Sequence, residues 1–260
     1  MVDKTDLNDL TFLIPVRLDS VERIENILMV TDFLLSHFET RIHLLEADAC
    51  NNRLLKRLLP QDVSIRFIED YDPIFHRTRY INLLTEECST PYLAVWDTDV
   101  IVPPQQIVQA VDRLRSGETQ FVYPFKHDFL DTSSILRELY LKTGNLSILE
   151  TNTGKMKRLY LPNPVGGAFL ANRSAYMESG MENETFYGWG REDGDRFNRW
   201  KILGYSYERI SGPLFHLTHD RGINSTFHAT EQSSIKHSEI LRIIGMSKKE
   251  LMKEVQNWYP

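Results

Sequence analysis

The sequence predicts an α/β protein in which a mostly parallel central sheet is flanked by helices. Three observations support this fold class. Short apolar strands alternate with helical segments between residues 10 and 123, the helical segments carry apolar residues at near-helical spacing, and prolines and polar turns separate the elements. Such alternation indicates parallel strands covered on both faces. With 260 residues, of which 42% are hydrophobic, the chain is long enough to form one substantial core.

The elements follow one another in a regular order. The sequence predicts strands at residues 10–16, 41–46, 63–68, 92–96 and 120–123, and helices at 21–37, 51–59, 75–88 and 105–114. The pattern loosens between residues 128 and 160, and a further strand is expected at 206–210. Two helices, at 235–243 and 248–258, are expected to end the chain, and Ser247 with Glu250 forms a capping-box signature at the start of the second.

Composition excludes several classes of function. The net charge of -6 and the pI near 5.8 argue against nucleic-acid binding, since proteins of that class are usually basic. Two cysteines, Cys50 and Cys88, provide neither a disulfide framework nor metal-ligand spacing, which is typical of a reducing compartment. We therefore expect a cytoplasmic protein.

No segment of the sequence has the pattern of a membrane anchor. The first ten residues are polar and acidic, unlike a signal peptide, and the apolar stretch 27–35 is interrupted by Thr31 and Asp32. Lysines 248, 249 and 253 in the last helix leave peripheral association with the inner membrane face as an alternative. Interspersed glutamates favour two packing helices instead.

Two carboxylates follow the predicted strand at 92–96. Ligands of α/β proteins bind at the ends of strands, and alternate residues of an extended segment point the same way, so Asp97 and Asp99 are expected to converge while Thr98 turns aside. A divalent cation held by such carboxylates keeps positions free for phosphate oxygens. Taken alone, the triplet is equally typical of a helix cap or an Asx turn.

A second cluster combines aromatic residues, glycines and acids within residues 186–195. Tyr187 and Trp189 offer flat apolar faces of the kind on which sugars stack, and glycines around them allow the backbone to bend. The acids that follow, Glu192, Asp193 and Asp195, are candidates for a general base acting on a hydroxyl. The alternative is a glycine-rich turn whose acids stabilise the start of the next helix.

A third cluster, at residues 216–221, contains two histidines three positions apart. His216 and His219, on a loop or a helical turn, are suited to bind manganese or zinc beside carboxylates. Histidines with a purely structural role are the alternative for such a pair.

The order of these clusters along the chain resembles the inverting glycosyltransferases of the GT-A fold, and within them the β-1,4-galactosyltransferase and chondroitin-polymerase group. The resemblance covers most of residues 10–221. Its most specific parts are the glycine-glycine segment Pro164–Phe169, the Trp-Gly-x-Glu-Asp motif within Asn183–Asp195, and the helix that begins with Arg196-Phe197-Asn198-Arg199. It implies a catalytic domain at 1–232, with a nucleotide-sugar half at 10–125 and an acceptor half at 126–232, followed by a helical tail at 233–260.

The resemblance implies a donor site and a metal site. Asp99 and His219 would bind Mn²⁺ or Mg²⁺, and His216 stands where animal members carry a methionine ligand. Guanidinium groups suit a diphosphate because they present paired donors to its oxygens. The remaining residues expected to contact the UDP-sugar are Pro15, Arg17, Glu46 (or Asp48), Arg77, Asp97, Thr98, Gly166, Gly167 and Trp189.

The resemblance also implies a catalytic base and an acceptor site. Asp193 would take the proton of the acceptor hydroxyl, while Tyr187, Trp189 and Glu192 would contact the acceptor. Gly194 replaces an acid that many relatives carry, so acceptor identity does not transfer from them. The implied reaction is metal-dependent, inverting transfer of a hexose or N-acetylhexosamine to a saccharide, in polysaccharide or glycoconjugate synthesis.

Three other functions are compatible with parts of this pattern. A glycoside hydrolase also uses paired carboxylates, but it requires neither a cation nor diphosphate-binding arginines. A nucleotidyltransferase acting on sugar phosphates would share the sheet and the metal. A non-catalytic relative would bind the nucleotide sugar without turnover. The sequence specifies neither the transferred sugar nor the oligomeric state.

Overall fold

The structure is a computed structural model that describes residues 4–220, 222, 224 and 230–258. Arg221, the last residue of the third sequence cluster, lies outside these residues. Ten α-helices are described, besides a 3-10 turn at Thr153–Lys155: α1 (Val21–His37), α2 (Leu54–Leu58), α3 (Arg77–Glu87), α4 (Pro104–Arg115), α5 (Ser134–Thr143), α6 (Ser147–Glu150), α7 (Arg173–Glu178), α8 (Glu192–Leu203), α9 (Thr230–Ile244) and α10 (Lys248–Gln256). None of them combines the length and hydrophobicity needed to cross a bilayer.

The described strands form two sheets. They are β1 (Thr5–Val16), β2 (Phe38–Asp48), β3 (Ser64–Glu69), β4 (Tyr92–Trp96), β5 (Val100–Ile101), β6 (Phe121–Tyr123), β7 (Phe129–Asp131), β8 (Lys157–Arg158), β9 (Ala168–Asn172), β10 (Tyr207–Arg209) and β11 (Leu214–His216). The seven-stranded sheet has the order β10-β6-β9-β4-β1-β2-β3, and its strands pair in parallel except for β9. The predicted mostly parallel α/β sheet is confirmed.

Apolar side chains of the central strands form the core of this sheet. The residues of β1 from Leu10 to Ile14 and those of β4 from Leu93 to Trp96 are almost fully buried, as expected for parallel strands covered on both faces. Helix α8 packs on the sheet through Trp200, whose ring stacks on Phe121 of β6 with centroids 3.8 Å apart. This packing fixes the helix whose first turn carries the acids of the second cluster.

The region between residues 128 and 160 is more regular than the sequence predicted. It contains α5, which begins after Ser133 as N-cap and ends at Gly144 in the left-handed conformation (φ 63°). Both are ordinary helix boundary signals that the apolar pattern alone does not reveal. Strand β7 of the same region joins the second, four-stranded sheet, which has the order β5-β11-β7-β8 and was not predicted.

The second sheet brings distant parts of the chain together. Strand β11 pairs antiparallel with β5, directly after the acid triplet, and parallel with β7. The backbone N–H of Leu217 also donates to the carbonyl of Asp99 at 2.7 Å. His216 is therefore the last residue of a strand. These hydrogen bonds bring the histidines close to Asp99 although the two segments are more than a hundred residues apart in the sequence.

The C-terminal helices follow the prediction. Helix α10 begins at Ser247 with a complete capping box, in which the Ser247 side chain accepts from the backbone of Glu250 and the Glu250 carboxylate accepts from the backbone of Ser247. Leu251 and Val255 pack against Leu203 and Ile243, so α10 covers the end of α8.

Candidate active site

A cleft of about 700 Å³ opens beyond the carboxyl ends of β1 and β4, where ligands of parallel α/β sheets bind. Its volume is within the range of small-molecule sites. The cleft gathers most of the residues that the sequence singled out: Pro15, Arg17, Arg77, Asp97, Thr98, Asp99, Gly166, Gly167, Trp189, Glu192, Asp193, His216 and His219. Four of the residues that the sequence singled out do not line it: Glu46, Asp48, Tyr187 and Asp195.

The acid triplet lies in a turn between β4 and β5 rather than on an extended strand. The expectation that strand alternation brings the two acids together is therefore wrong. The turn directs them to different partners: Arg77 Nη2 donates to Asp97 Oδ1 at 2.5 Å, whereas Asp99 faces the two histidines. The backbone N–H of Asp97 also donates to the carbonyl of Gly167 at 2.9 Å, which ties the triplet to the glycine-glycine segment.

One carboxylate and two imidazoles form a group that suits a divalent metal. The donor atoms of Asp99, His216 and His219 lie within 4.8 Å of one another. The Nε2 atoms of His219 and His216 stand 3.1 Å and 3.6 Å from the two carboxylate oxygens of Asp99. Nitrogen and oxygen donors in this number fit a transition metal such as manganese and leave coordination positions for a ligand.

Both histidines are oriented by acceptors on their other ring nitrogen. His216 Nδ1 lies 2.8 Å from Asp131 Oδ1, and His219 Nδ1 lies 2.9 Å from the carbonyl oxygen of Asp220. An acceptor at Nδ1 holds the proton there and leaves Nε2 free for a metal. Asp131, which the sequence analysis did not identify, thus completes the arrangement for His216.

The charges of this group are strongly coupled. Burial alone would raise the pKa of Asp99, but the neighbouring His216 and His219 outweigh it and hold the Asp99 pKa well below its usual value. Burial likewise opposes protonation of His219, yet its hydrogen bond to Asp99 gives a net rise in the His219 pKa. Asp99 and His219 therefore favour each other's charged forms.

The arginines around the cleft divide into anchored and available groups. Arg17 donates to the carbonyls of Ala47 and Asp72 and to the carboxylate of Asp70, so each nitrogen of its guanidinium is already engaged. This favours shaping of the cleft floor over direct contact with a diphosphate. In contrast, Nη1 of Arg77 has no hydrogen-bond partner among the described residues.

Arg23 is a cleft residue that the sequence analysis missed. It lies in the first turn of α1, where Nη1 donates to Thr98 Oγ1 at 3.3 Å and stands 4.0 Å from Asp99 Oδ2. Its Nε donates to Asp19, four residues earlier. The sequence signal that could have identified Arg23 is its place in the first turn of the helix that follows the first strand, near the end of the sheet where ligands bind.

The glycine-glycine segment leaves space for two neighbours. A β-carbon at Gly166 would stand 2.5 Å from Asp193 Oδ2. Gly167 has a φ of +85°, and a β-carbon there would stand 2.7 Å from the ring of Phe129. A side chain at Gly166 would therefore displace the Asp193 carboxylate, whereas Gly167 is favoured both by the space beside Phe129 and by its backbone conformation.

The three acids at the start of α8 have three different environments. Asp193 faces the cleft and accepts a hydrogen bond from Arg196 at 2.7 Å. Asp195 is buried and paired with Arg199, away from the cleft. Glu192 is also buried, and burial together with the neighbouring charge of Asp193 raises its pKa to about 7. Of the three, Asp193 presents a carboxylate to a bound molecule.

The aromatic residues of the second cluster separate in the structure. Trp189 lines the cleft, and its carbonyl accepts a hydrogen bond from Lys236 of α9 at 2.7 Å. Tyr187 turns away, donates to Asp72 and packs edge-on against His76. The prediction that Tyr187 contacts the acceptor is therefore not supported by its position.

Glu46 also lies apart from the cleft. Its side chain is buried near the end of β2 and faces a smaller depression formed with Arg53, Lys56 and Phe67 among others. Burial raises its pKa, and the charge of Asp48 adds to this effect. The expected contact of Glu46 with the UDP-sugar therefore lacks support from the geometry.

The segment that carries much of this cleft matches a known family. Residues 152–221 match the model of the N-terminal domain of galactosyltransferase. The match contains the glycine-glycine segment, the acids of α8 and both metal-site histidines. This segment of the chain is therefore similar to galactosyltransferases.

Solved structures support the same assignment of the fold. The chain resembles the catalytic domain of Drosophila β1,4-galactosyltransferase 7 in complex with xylobiose, with a TM-score of 0.56, 17% identity, and coverage of 90% of this chain and 79% of that one. It also resembles glucosyl-3-phosphoglycerate synthase from Mycobacterium tuberculosis in complex with Mn²⁺, UDP and phosphoglyceric acid, with a TM-score of 0.55, 15% identity, and coverage of 91% and 78%. A search of curated protein sequences found no match.

A further complex of the Drosophila enzyme belongs to the same set. A mutant form with manganese, UDP-Gal and xylobiose gives a TM-score of 0.53 and 16% identity, covering 88% of this chain and 79% of that one. The family resemblance and the fold class predicted from the sequence are thereby confirmed.

Proposed function

We propose that the chain transfers a hexose or an N-acetylhexosamine from a UDP-sugar to a hydroxyl of a saccharide acceptor, with inversion at the anomeric carbon. One observation carries the proposal. A three-residue metal-binding group and the cleft-facing carboxylate of Asp193 line the same cavity, which is large enough for a small-molecule substrate. Transfer of this kind extends saccharides, as polysaccharide and glycoconjugate synthesis requires.

The donor binds on the side of the cleft formed by the acid triplet. Asp99, His219 and His216 hold a divalent cation, for which manganese is the best match to the donor atoms. The cation, when bound, supplies positive charge to the diphosphate as it departs. Arg77 and Arg23 add guanidinium groups at the same edge. Complexes of the structural neighbours with manganese and UDP or UDP-Gal support this choice of donor and metal.

The acceptor binds on the opposite side, against Trp189 and Asp193. Its hydroxyl oxygen attacks the anomeric carbon as the bond from that carbon to the diphosphate oxygen breaks, and the hydroxyl proton passes to Oδ2 of Asp193. A single displacement of this kind inverts the configuration and needs no enzyme nucleophile. Glu192, beside Asp193, is placed to bind another acceptor hydroxyl. The xylobiose complex of the Drosophila neighbour supports a saccharide acceptor.

Asp193→Asn tests the assignment of the base. General-base catalysis contributes roughly a hundredfold to ten-thousandfold, so we expect transfer to fall by that factor while the Mn²⁺-dependent binding of UDP persists. Arg199→Met combined with Asp195→Asn is the matched control, because this buried pair lies on the same helix α8 and Asp195 lies outside the cleft. An Asp193→Asn variant that transfers sugar at the normal rate would exclude Asp193 as the base.

A thermal-shift panel identifies the donor. Nucleotide sugars are added one at a time with and without Mn²⁺, because a ligand at free concentration L that binds only the folded chain stabilises it by RT ln(1 + L/Kd) and so raises its melting temperature. We expect a manganese-dependent rise with one UDP-sugar. A panel in which no nucleotide sugar stabilises the chain in the presence of Mn²⁺ would contradict the proposal.

A further inference from the structure

Arg196 holds one oxygen of Asp193 from inside the protein. It lies one turn into α8 and is fully buried. Its Nη2 donates to Asp193 Oδ1 at 2.7 Å and to the carbonyl of Val165, the residue before Gly166, at 3.0 Å. Its guanidinium carbon lies 4.1 Å from the centre of the Phe169 ring, which restrains the group from the sheet side. Arg196 therefore connects the cleft carboxylate to both the glycine segment and the core.

The same arginine is balanced by a second buried acid. Arg196 Nη1 donates to Glu182 Oε1 at 2.8 Å, and Glu182 also accepts a hydrogen bond from Tyr176 at 2.6 Å. Glu182 is fully buried and does not line the cleft. An unpaired arginine in this environment would be costly, so Glu182 allows the guanidinium to remain charged beneath Asp193.

We propose that Arg196, supported by Glu182, is a positioning residue for sugar transfer. It fixes Oδ1 of Asp193, so that Oδ2, which faces Gly166, is the oxygen that receives the acceptor proton. This inference rests on the proposed function of Asp193 as the base. According to this inference, the buried ion pair of Arg196 and Glu182 affects the rate of transfer although neither residue contacts the substrate.

The geometry explains why the arrangement matters for the rate. A carboxylate with one free oxygen and one oxygen in a charged hydrogen bond loses most of its rotational freedom. Because Arg196 reaches Val165 as well, the carboxylate and the Gly166 surface keep a fixed separation. A displacement of about 1 Å in such a group can cost on the order of a hundredfold in rate.

The test removes both charges of the supporting pair together. Arg196→Met combined with Glu182→Gln leaves neither a buried unpaired charge nor a missing acceptor for Tyr176, and replacement of a buried ion pair is often tolerated. We expect kcat for transfer to fall about 10- to 100-fold. The Kd for UDP with Mn²⁺ and the KM for the donor are expected to stay within about twofold, since neither residue contributes to the metal group.

The neighbouring ion pair provides a matched control. Arg199 and Asp195 form an equally buried pair on the same helix, but Arg199 donates to Asp195 and to the carbonyls of Ser179 and Met181 rather than to the cleft. Arg199→Met combined with Asp195→Asn is expected to leave kcat within about twofold of the wild type. Arg196→Lys keeps the positive charge but has a single side-chain nitrogen. It is expected to retain part of the rate that the Arg196 and Glu182 double variant loses.

Three outcomes would overturn the inference. The first is a normal kcat in the Arg196 and Glu182 double variant, and the second is an equal loss in both double variants, which would indicate a general effect on α8. If the double variant does not fold, Arg196→Lys takes its place as the test. A normal kcat in Arg196→Lys is the third outcome that would overturn the inference. Asp193→Asn, measured in parallel, separates the role of Asp193 as the base from the positioning role of Arg196. If Asp193→Asn loses transfer while the Arg196 variants keep a normal rate, only the positioning role is rejected. If Asp193→Asn is fully active, both roles are rejected.

Discussion

A β-carbon on Gly166 would stand 2.5 Å from Oδ2 of Asp193. No real β-carbon approaches an oxygen so closely, so Gly166→Ala must displace the carboxylate that we propose as the base. We expect kcat for transfer to fall about 10- to 100-fold with little change in Mn²⁺-dependent UDP binding. Steady-state kinetics together with titration calorimetry measure the two effects.

Gly194→Ala is the control for that substitution. A β-carbon at Gly194 would meet nothing within 4 Å, and the residue lies inside helix α8. Replacing a helical glycine by alanine is expected to stabilise the fold by about 0.5–1 kcal/mol and to leave kcat near the wild-type value. Equal kinetic losses in the two alanine variants would contradict the steric explanation for Gly166.

Asp131 is predicted to control metal affinity without contacting the metal. Its carboxylate orients His216 through Nδ1 at 2.8 Å. Loss of such an orienting partner typically lowers metal affinity about 10- to 100-fold, so Asp131→Asn should weaken Mn²⁺ binding by that factor. Asp128→Asn, an exposed position just before the same strand and paired with Arg158, is the control in calorimetric titrations with Mn²⁺. Unchanged affinity in Asp131→Asn would mean that His216 is not a ligand.

Glu192 is predicted to make stability depend on pH. Burial and the charge of Asp193 raise its pKa from 4.5 to about 7 in the folded chain, so the folded state keeps a proton that the unfolded state loses between these values. The free energy of unfolding therefore falls as pH rises from about 4.5 to about 7, and the full effect is of order 3 kcal/mol. Glu192→Gln, which has no such proton, should gain stability over the wild type as pH rises.

Urea unfolding at a series of pH values measures this difference. We expect the two proteins to differ least below pH 5 and most above pH 7, with the variant the more stable at high pH. The same comparison for Glu250→Gln serves as a control, because Glu250 lies in the exposed capping box of α10 and hydrogen bonds from Ser247 lower its pKa. A difference between wild type and Glu192→Gln that is constant across this range would show that Glu192 is ionised in the folded chain.

Arg23 and Arg17 are predicted to differ in their roles. Arg23 lies beside Thr98 and Asp99 at the cleft, so Arg23→Gln should raise the donor KM roughly tenfold, the effect of losing about 1.4 kcal/mol of binding. Arg17 is anchored to Asp70 and two backbone carbonyls, so Arg17→Gln should chiefly lower the melting temperature. A larger rise in donor KM for Arg17→Gln than for Arg23→Gln would reverse this assignment.

The sequence predicted six of the seven strands of the large sheet, because these strands are rich in apolar residues and separated by clear turn signals, whereas β9 was not predicted. Helix α1 and strand β4 have the bounds that the pattern indicated. The second sheet could not be predicted in this way, because β5, β8 and β11 are two or three residues long and pair only with distant segments. Period-based reasoning needs longer segments than these.

The residues of the candidate site were predicted where a sequence motif indicates both the residue type and its position beside other site residues. The acids, the glycine pair and both histidines meet in one cleft. Tyr187 and Glu46 do not, since the direction of a side chain depends on tertiary packing that a motif does not contain. Asp131 and Arg23 escaped notice for the converse reason: each is an ordinary charged residue whose significance arises only from its contact with His216 or Thr98.

Strand β9 runs antiparallel to β4, with Ala168 opposite Trp96, so the residues that precede one strand meet those that follow the other. The spacing between Gly166 and the acid triplet is thus set by sheet register and not by the length of the intervening chain. A change in the length of an exposed loop within that interval therefore need not alter this spacing. A fold with this property keeps its glycine segment against the acid triplet through hydrogen bonds between two strands that are distant in the sequence.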